Sequence, residues 1–347
     1  MTYRIYACGS NGKNQLGTSD SKDLDTLQLV FESIHSPVED IIAGGNHTLI
    51  LLQNGEVYST GDNSYGQCFQ SPDLLSTGLK RVPNVDGKSW IMGCAGYEFS
   101  VLIDCDYQIY SSGLGLKGEL GIDHNLTRSP VMSKVNWDSQ GRKIVDIKAC
   151  LDHTIMLLDD GSVYGWGNSR NGKLGDTKEK ILWVPTKLQL SQSVKKIQAS
   201  RDFTVLQFTN NEIMLIGKDR YLIQSQLINI KTSDIKDFKA MWSSLHILTC
   251  SHQIISIGNN SHSQLLEIPS KIDIQQFEAG SEHGLLLTKQ GTVLSWGWGE
   301  HGNCGTKKKD SDSFDYLNVL FDNTERENVA LLRGGCATSW MVTSDVD

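Results

Sequence analysis

One pattern recurs seven times along the 347 residues, and a repeat of that kind leaves few folds open. Its cleanest copy is residues 279–305. Ala-Gly-Ser-Glu-His-Gly leads into two apolar runs, 285–288 and 292–296, joined by Lys289-Gln290-Gly291, and a loop follows with glycine at 297, 299, 302 and 305. Two short apolar runs about a Gly-containing turn predict a β-hairpin, which is only marginally stable alone and must pack against its copies. The loop anchors Gly9, Gly61, Gly113, Gly167, Gly217, Gly258 and Gly297 are spaced by 52, 52, 54, 50, 41 and 39 residues, so the fifth and sixth units are short. A second motif keeps step with the first, beginning at Ala43, Ala95, Ala149, Ala199, Ala240, Ala279 and Gly334.

A period near 50 residues, with room for about four strands per unit, predicts the blades of a propeller. The expectation is an all-β fold: a seven-bladed β-propeller closed by pairing of the N- and C-terminal strands, as a single domain over residues 1–347. Residues 3–8 correspond to the second strand of the hairpin and 339–343 to the first, so together they complete one blade and leave no open edge. Small residues in the Ala-Gly motif and after each hairpin are expected where strands crowd toward the axis. Leu16, Cys68, Leu120, Leu174, Leu265 and Cys304, each near the end of a loop, read as apolar plugs between blades, which makes Cys68 and Cys304 small hydrophobes rather than ligands.

A net charge of -8 and a pI of about 5.6 argue against the electrostatic footprint that DNA or RNA binding needs. The basic triplet at 307–309 is followed at once by Asp310, Asp312 and Asp315. Eight scattered cysteines without a Cys-x-x-Cys pair point to a reducing compartment. No apolar leader follows Met1 and no run of about 18 apolar residues occurs, so the expected location is cytoplasmic and nuclear, without membrane contact.

Catalytic and metal chemistry find no foothold in the pattern. His47, His153 and His283 share a slot that holds Phe99, Phe203, Ser244 or Thr338 in other units, which predicts a structural, hydrogen-bonding histidine. His301 and Cys304 supply only half of a zinc site. Nucleophile elbows, phosphate loops and metalloprotease helices are missing, so neither catalytic residues, metal ligands nor cofactors are expected. Trp298 stands out, because its slot holds Ser10, Asp62, Leu114, Asn168, Lys218 and Asn259 elsewhere and the repeat needs no aromatic there. Tryptophan is enriched at binding hot spots, so Trp298 with Glu300 and His301, helped by Trp242 and Glu282, is the expected partner-binding surface.

The sevenfold combination of Gly-x-Asn-x-x-Gly-x-Leu-Gly loops with Ala-Gly-x-x-His-Thr strands resembles the regulator of chromosome condensation propeller family, over roughly residues 3–343. Residues 280–284, 296–305 and 334–340, with Met241-Trp242-Ser243, are similar to one fungal branch of it. That resemblance implies a non-enzymatic partner protein that pairs with a small zinc-ribbon protein carrying a metal on four cysteines and donating electrons. Through it, such propellers support diphthamide formation on elongation factor two and Elongator-dependent modification of wobble uridines in tRNA. The founding chromatin protein of the family is instead a guanine-nucleotide exchange factor for the GTPase Ran. Exchange on a Ran-like GTPase is therefore the alternative, against which stand the acidity of this chain and a first strand that begins by about residue 3.

Overall fold

A computed structural model describes residues 1–34, 36–72, 78–265, 267–269, 272–307, 311–323 and 327–345. Within them the chain forms seven antiparallel sheets. Blade 1 runs outward through Val38–Ala43, His47–Leu52, Val57–Gly61 and Lys80–Val82. Blades 2, 3 and 6, at residues 90–134, 144–187 and 274–321, repeat this four-stranded order, whereas blades 4 and 5, at 194–217 and 235–258, show three strands. Those missing outer strands account for the short fifth and sixth spacings. Over blade 4 a helical turn, Ile223–Leu227, takes the outer place, and the Gln224 side chain accepts the Leu215 N–H at 2.7 Å as a strand carbonyl would.

Why a ring forms is visible in the second strands. His47–Leu52, Phe99–Asp104, His153–Leu158, Phe203–Phe208, Ser244–Thr249, His283–Thr288 and Thr338–Ser344 are buried at every position. A strand covered on both faces needs a sheet on either side, and only a closed cycle gives every blade two neighbours. The innermost strands of successive blades touch in turn, and Asn328–Gly334 touches Val38–Ala43 to complete the circle. A register shift two residues into the innermost strand recurs in all seven blades, from Val38/Asp40 to Val329/Leu331.

Blade 7 is the closure. Asn328–Gly334 and Thr338–Ser344 supply its inner half, and Tyr3–Gly9 and Leu24–Ser33 its outer half. Tyr3 lies opposite Ser344 and Gly9 opposite Thr338, in unbroken register, as the terminal-strand pairing requires. Asp345 extends the clasp by accepting the Thr2 N–H at 3.0 Å and the Arg4 guanidinium at 2.7 Å.

The seven loop glycines turn out to be needed away from the axis. Each has φ between +97° and +130°, and a Cβ on Gly113 would stand 2.3 Å from the Glu98 carbonyl oxygen, where the loop leaves the third strand beside the start of the second. Crowding at the axis applies instead to the inner turns: a Cβ on Gly280 would meet the Gly335 oxygen at 2.8 Å. Leu16, Cys68, Leu120, Leu174 and Cys304 are buried plugs, while Leu265 is half-buried. Next-blade side chains pin these loops down. Thr60 donates to the Asn14 carbonyl at 2.8 Å, Ser112 to Gly66 at 2.7 Å, Trp166 to Glu119 at 2.9 Å and Trp296 to Gln264 at 3.0 Å.

Candidate functional site

Strands alternate in direction, so every turn from an innermost to a second strand and every loop from a third to an outer strand emerge at the same end of the molecule. This loop face surrounds the mouth of a central channel. Neighbouring inner turns are bonded to one another around it: Gly45 N–H donates to the Gly96 carbonyl at 3.1 Å, Tyr97 to Leu151 at 2.9 Å, Trp242 to Ser281 at 2.7 Å and Ser281 to Gly335 at 3.0 Å. Backbone bonds between blades make a stiff collar, on which side chains are held at fixed positions.

Four of the five expected partner contacts reach this surface. The Trp298 N–H donates to the Glu282 carbonyl at 3.0 Å, and its half-buried indole stacks on the His262 imidazole from blade 5, with centroids 4.2 Å apart and planes within 7°. Glu300 is exposed beside it, and His301 is turned toward blade 7, with Nδ1 2.8 Å from Asp23 Oδ2. Trp242 lines the channel mouth together with Cys150 of blade 3, whose thiol burial pushes up to about 12. Glu282 is a correction. Only 6 % exposed, its carboxylate accepts hydrogen bonds from Ser243 at 2.8 Å and Gln264 at 3.1 Å, and burial raises its pKa. It ties blades 5 and 6 together beneath the surface, because Ser243 and Gln264 of blade 5 hold its carboxylate in the seam.

The repeated histidines do the packing work their interchangeability predicts. His47 Nε2 lies 2.7 Å from Ser100 Oγ, His153 3.3 Å from Thr204 and His283 3.0 Å from Ser339, each partner belonging to the next blade. Burial lowers the pKa of His47 and His283 to about 4, which keeps them neutral at pH 7. All eight cysteines are free. Cys304 faces inward against the Trp296 carbonyl while His301 faces out, and no group of three His, Cys, Asp or Glu side chains gathers among the described residues as a metal ion would need. In the basic triplet, Lys307 pairs with Asp312, and residues 308–309 lie outside the described residues.

Sequence reasoning missed the channel wall. Arg333 of blade 7 pairs with Asp40 of blade 1 at 2.6 Å and Glu278 of blade 6 at 3.3 Å, Lys239 of blade 5 pairs with Glu278 at 2.8 Å, and Lys196 of blade 4 pairs with Asp237 of blade 5. These ion pairs lace five blades together across the lumen. Burial and the nearby Lys239 lower the Lys196 pKa to about 8. The signal was present as charges at alternate positions of the innermost strands, such as Val-Asp-Ile-Lys at 145–148 and Ile-Lys-Asp-Phe-Lys at 235–239.

Comparison with known proteins agrees with this geometry. The profile of the Regulator of chromosome condensation (RCC1) repeat matches residues 38–67, 144–173 and 274–303, each running from an innermost strand into the following loop, and a second profile of that description matches 160–207. An RCC1 repeat-containing protein of Schizosaccharomyces pombe is 29% identical, over 98% of this chain and 99% of its own length. A human RCC1-like G exchanging factor-like protein is 24% identical, over 90% of this chain and 67% of its own. The crystal structure of Prp20p from Saccharomyces cerevisiae superposes with a TM-score of 0.86 at 18% identity, covering 100% of this chain and 92% of that one. Seven blades, a terminal-strand closure and the matched profiles lead to one conclusion: this chain is an RCC1-like seven-bladed β-propeller with RCC1 repeats at 38–67, 144–207 and 274–303.

Proposed function

We propose that this propeller is a non-enzymatic binding module that forms a heterodimer with a small zinc-ribbon electron carrier. Through that partner it supports diphthamide synthesis on elongation factor two and Elongator-dependent modification of tRNA wobble uridines, acting in the cytoplasm and nucleus. The partner's identity rests on the resemblance of residues 280–284, 296–305 and 334–340 to the fungal α-tubulin-suppressor, or killer-toxin-insensitivity, propellers. The observation that supports a binding role is Trp298: a half-buried aromatic on a bonded collar, in a slot that six other blades fill without one, with Glu300 exposed beside it and Trp242 at the channel mouth. Such an amphipathic anchor on a rigid frame is what a protein partner buries.

Nucleotide exchange on a Ran-like GTPase is the second reading, favoured by the name of the human relative. Affinity purification of the tagged chain followed by mass spectrometry separates the two. Recovery of a small four-cysteine protein in stoichiometric amount supports the heterodimer, and recovery of a small GTPase in its place overturns it.

A further inference from the structure

The loop face carries a gathering of cations that the net charge of -8 conceals. On blades 6 and 7 it exposes both signs, Asp20, Asp23, Asp25 and Glu300 with Lys13, Lys22 and Lys307. On blades 3 and 4 it exposes Arg170, Lys178, Lys180, Lys218 and Arg220. Arg170 and Arg220 occupy one repeat slot, which holds Gly12, Ser64, Leu116, Ser261 and Glu300 in other blades. Cations at that slot therefore belong to two adjacent blades and are not required by the fold.

Most of this charge is uncommitted. Arg170, Lys178, Lys180 and Lys218 have no ion-pair partner among the described residues. Arg201 and Arg220 share the single carboxylate of Asp202, at 3.5 and 3.2 Å, and Lys117 and Lys173 share Asp152, at 2.8 and 2.5 Å. Lys173 is buried and structural, bonded also to the Arg201 carbonyl, so Lys117 is left as the surface member of that pair. A shallow cavity lined by Arg170, Lys178 and Lys180 with Ile216 lies among these groups. Exposed apolar side chains stand on the same face: Leu116, on the adjoining blade 2 loop next to Lys117, is 60% exposed, and Leu222, two residues after Arg220, is 66% exposed.

We propose that the loop face of blades 3 and 4 is a docking surface for an acidic protein segment that also carries apolar side chains. Charge complementarity selects the acid, because unpaired cations gathered on an acidic molecule attract carboxylates and steer their approach. The exposed leucines select a protein over a nucleic acid, since a phosphodiester backbone offers nothing to cover them, and the carboxylates of Asp152, Asp202, Asp176 and Glu179 among the cations would repel a dense line of phosphates. This surface goes beyond the binding role assigned to blades 5 and 6 and does not rest on it.

The test uses the full chain and a fluorescein-labelled peptide of about 20 residues repeating Glu-Glu-Leu, followed by anisotropy, with an RNA of about 20 nucleotides as the competing probe. Wild-type protein is expected to bind the peptide more tightly than the RNA, and the Arg170→Glu/Lys218→Glu variant to bind it at least about tenfold more weakly with an unchanged melting temperature. Arg170→Gln/Lys218→Gln, which introduces no new charge, is expected to lose at least about threefold and serves if the reversal variant does not fold. No peptide binding, binding indifferent to both variants, or tighter binding of the RNA would each overturn the proposal.

Discussion

His283 shows how one side chain can serve the fold and still limit it. Its ring lies over Gly280, where a Cβ would stand 2.0 Å from Cε1, and bonds to Ser339 in the next blade. Phe99 lies over Gly96 in the same way, at 1.9 Å from the corresponding point, so the slot accepts either ring. What differs is the response to acid. The buried His283 has a pKa of about 4 against 6.5 when exposed, so the unfolded chain takes up the proton first as pH falls. Its contribution to stability is intact above about pH 6.5 and drains away toward pH 4, the loss reaching about 2 kcal/mol at pH 5. His283→Phe is therefore expected to narrow the difference between urea midpoints at pH 7.5 and pH 5 relative to wild type. An unchanged difference would mean that the imidazole is already protonated in the native protein. Ser339 keeps its bond to the Asn303 carbonyl at 2.7 Å in the variant, so the substitution leaves no orphaned hydroxyl.

At the scale of strands, what the sequence makes legible is periodicity. Spacing of the loop glycines located all seven blades, and the shortened fifth and sixth steps marked the two sheets that lack an outer strand among the described residues. The terminal pairing was legible because Tyr3–Gly9 and Thr338–Ser344 are each half of a hairpin whose other half is at the opposite end of the chain. Side-chain direction at the site was not. Trp298 and Glu282 fall in adjacent motifs and looked alike as loop residues, but Glu282 precedes a buried strand and turns into the seam between blades, toward Ser243 and Gln264. The lumenal ion pairs escaped for a related reason, since Arg333 and Asp40 are neighbours only once the ring has closed. Closure also yields a prediction at this scale. Removing residues 339–347 strips Tyr3–Gly9 of its partner and uncovers the blade edges on either side, so the truncated protein should lose its cooperative thermal transition and associate. Scanning calorimetry with light scattering checks it. A monomer with the wild-type melting temperature would refute the latch.

Taken as a whole, the molecule is a stiff ring with its variation concentrated on one face. Backbone bonds between inner turns, ion pairs across the lumen and next-blade side chains holding each loop fix the frame, while the side chains the repeat does not dictate differ from blade to blade. Trp298 and Trp242 stand there on blades 6 and 5, and the cations Arg170, Lys178, Lys180, Lys218 and Arg220 on blades 3 and 4. This division lets one rigid surface address different parts of a partner, or different partners, without moving. Trp298, the proposed anchor, is also part of the frame, since one face of its indole is spent on His262. The central claim, that this tryptophan anchors a zinc-ribbon partner, is tested most directly by titration calorimetry of the purified pair with wild type and Trp298→Ala. An anchoring tryptophan contributes at least about 2 kcal/mol, so the variant is expected to bind at least about tenfold more weakly with nearly the wild-type melting temperature, and an unchanged affinity would contradict the claim.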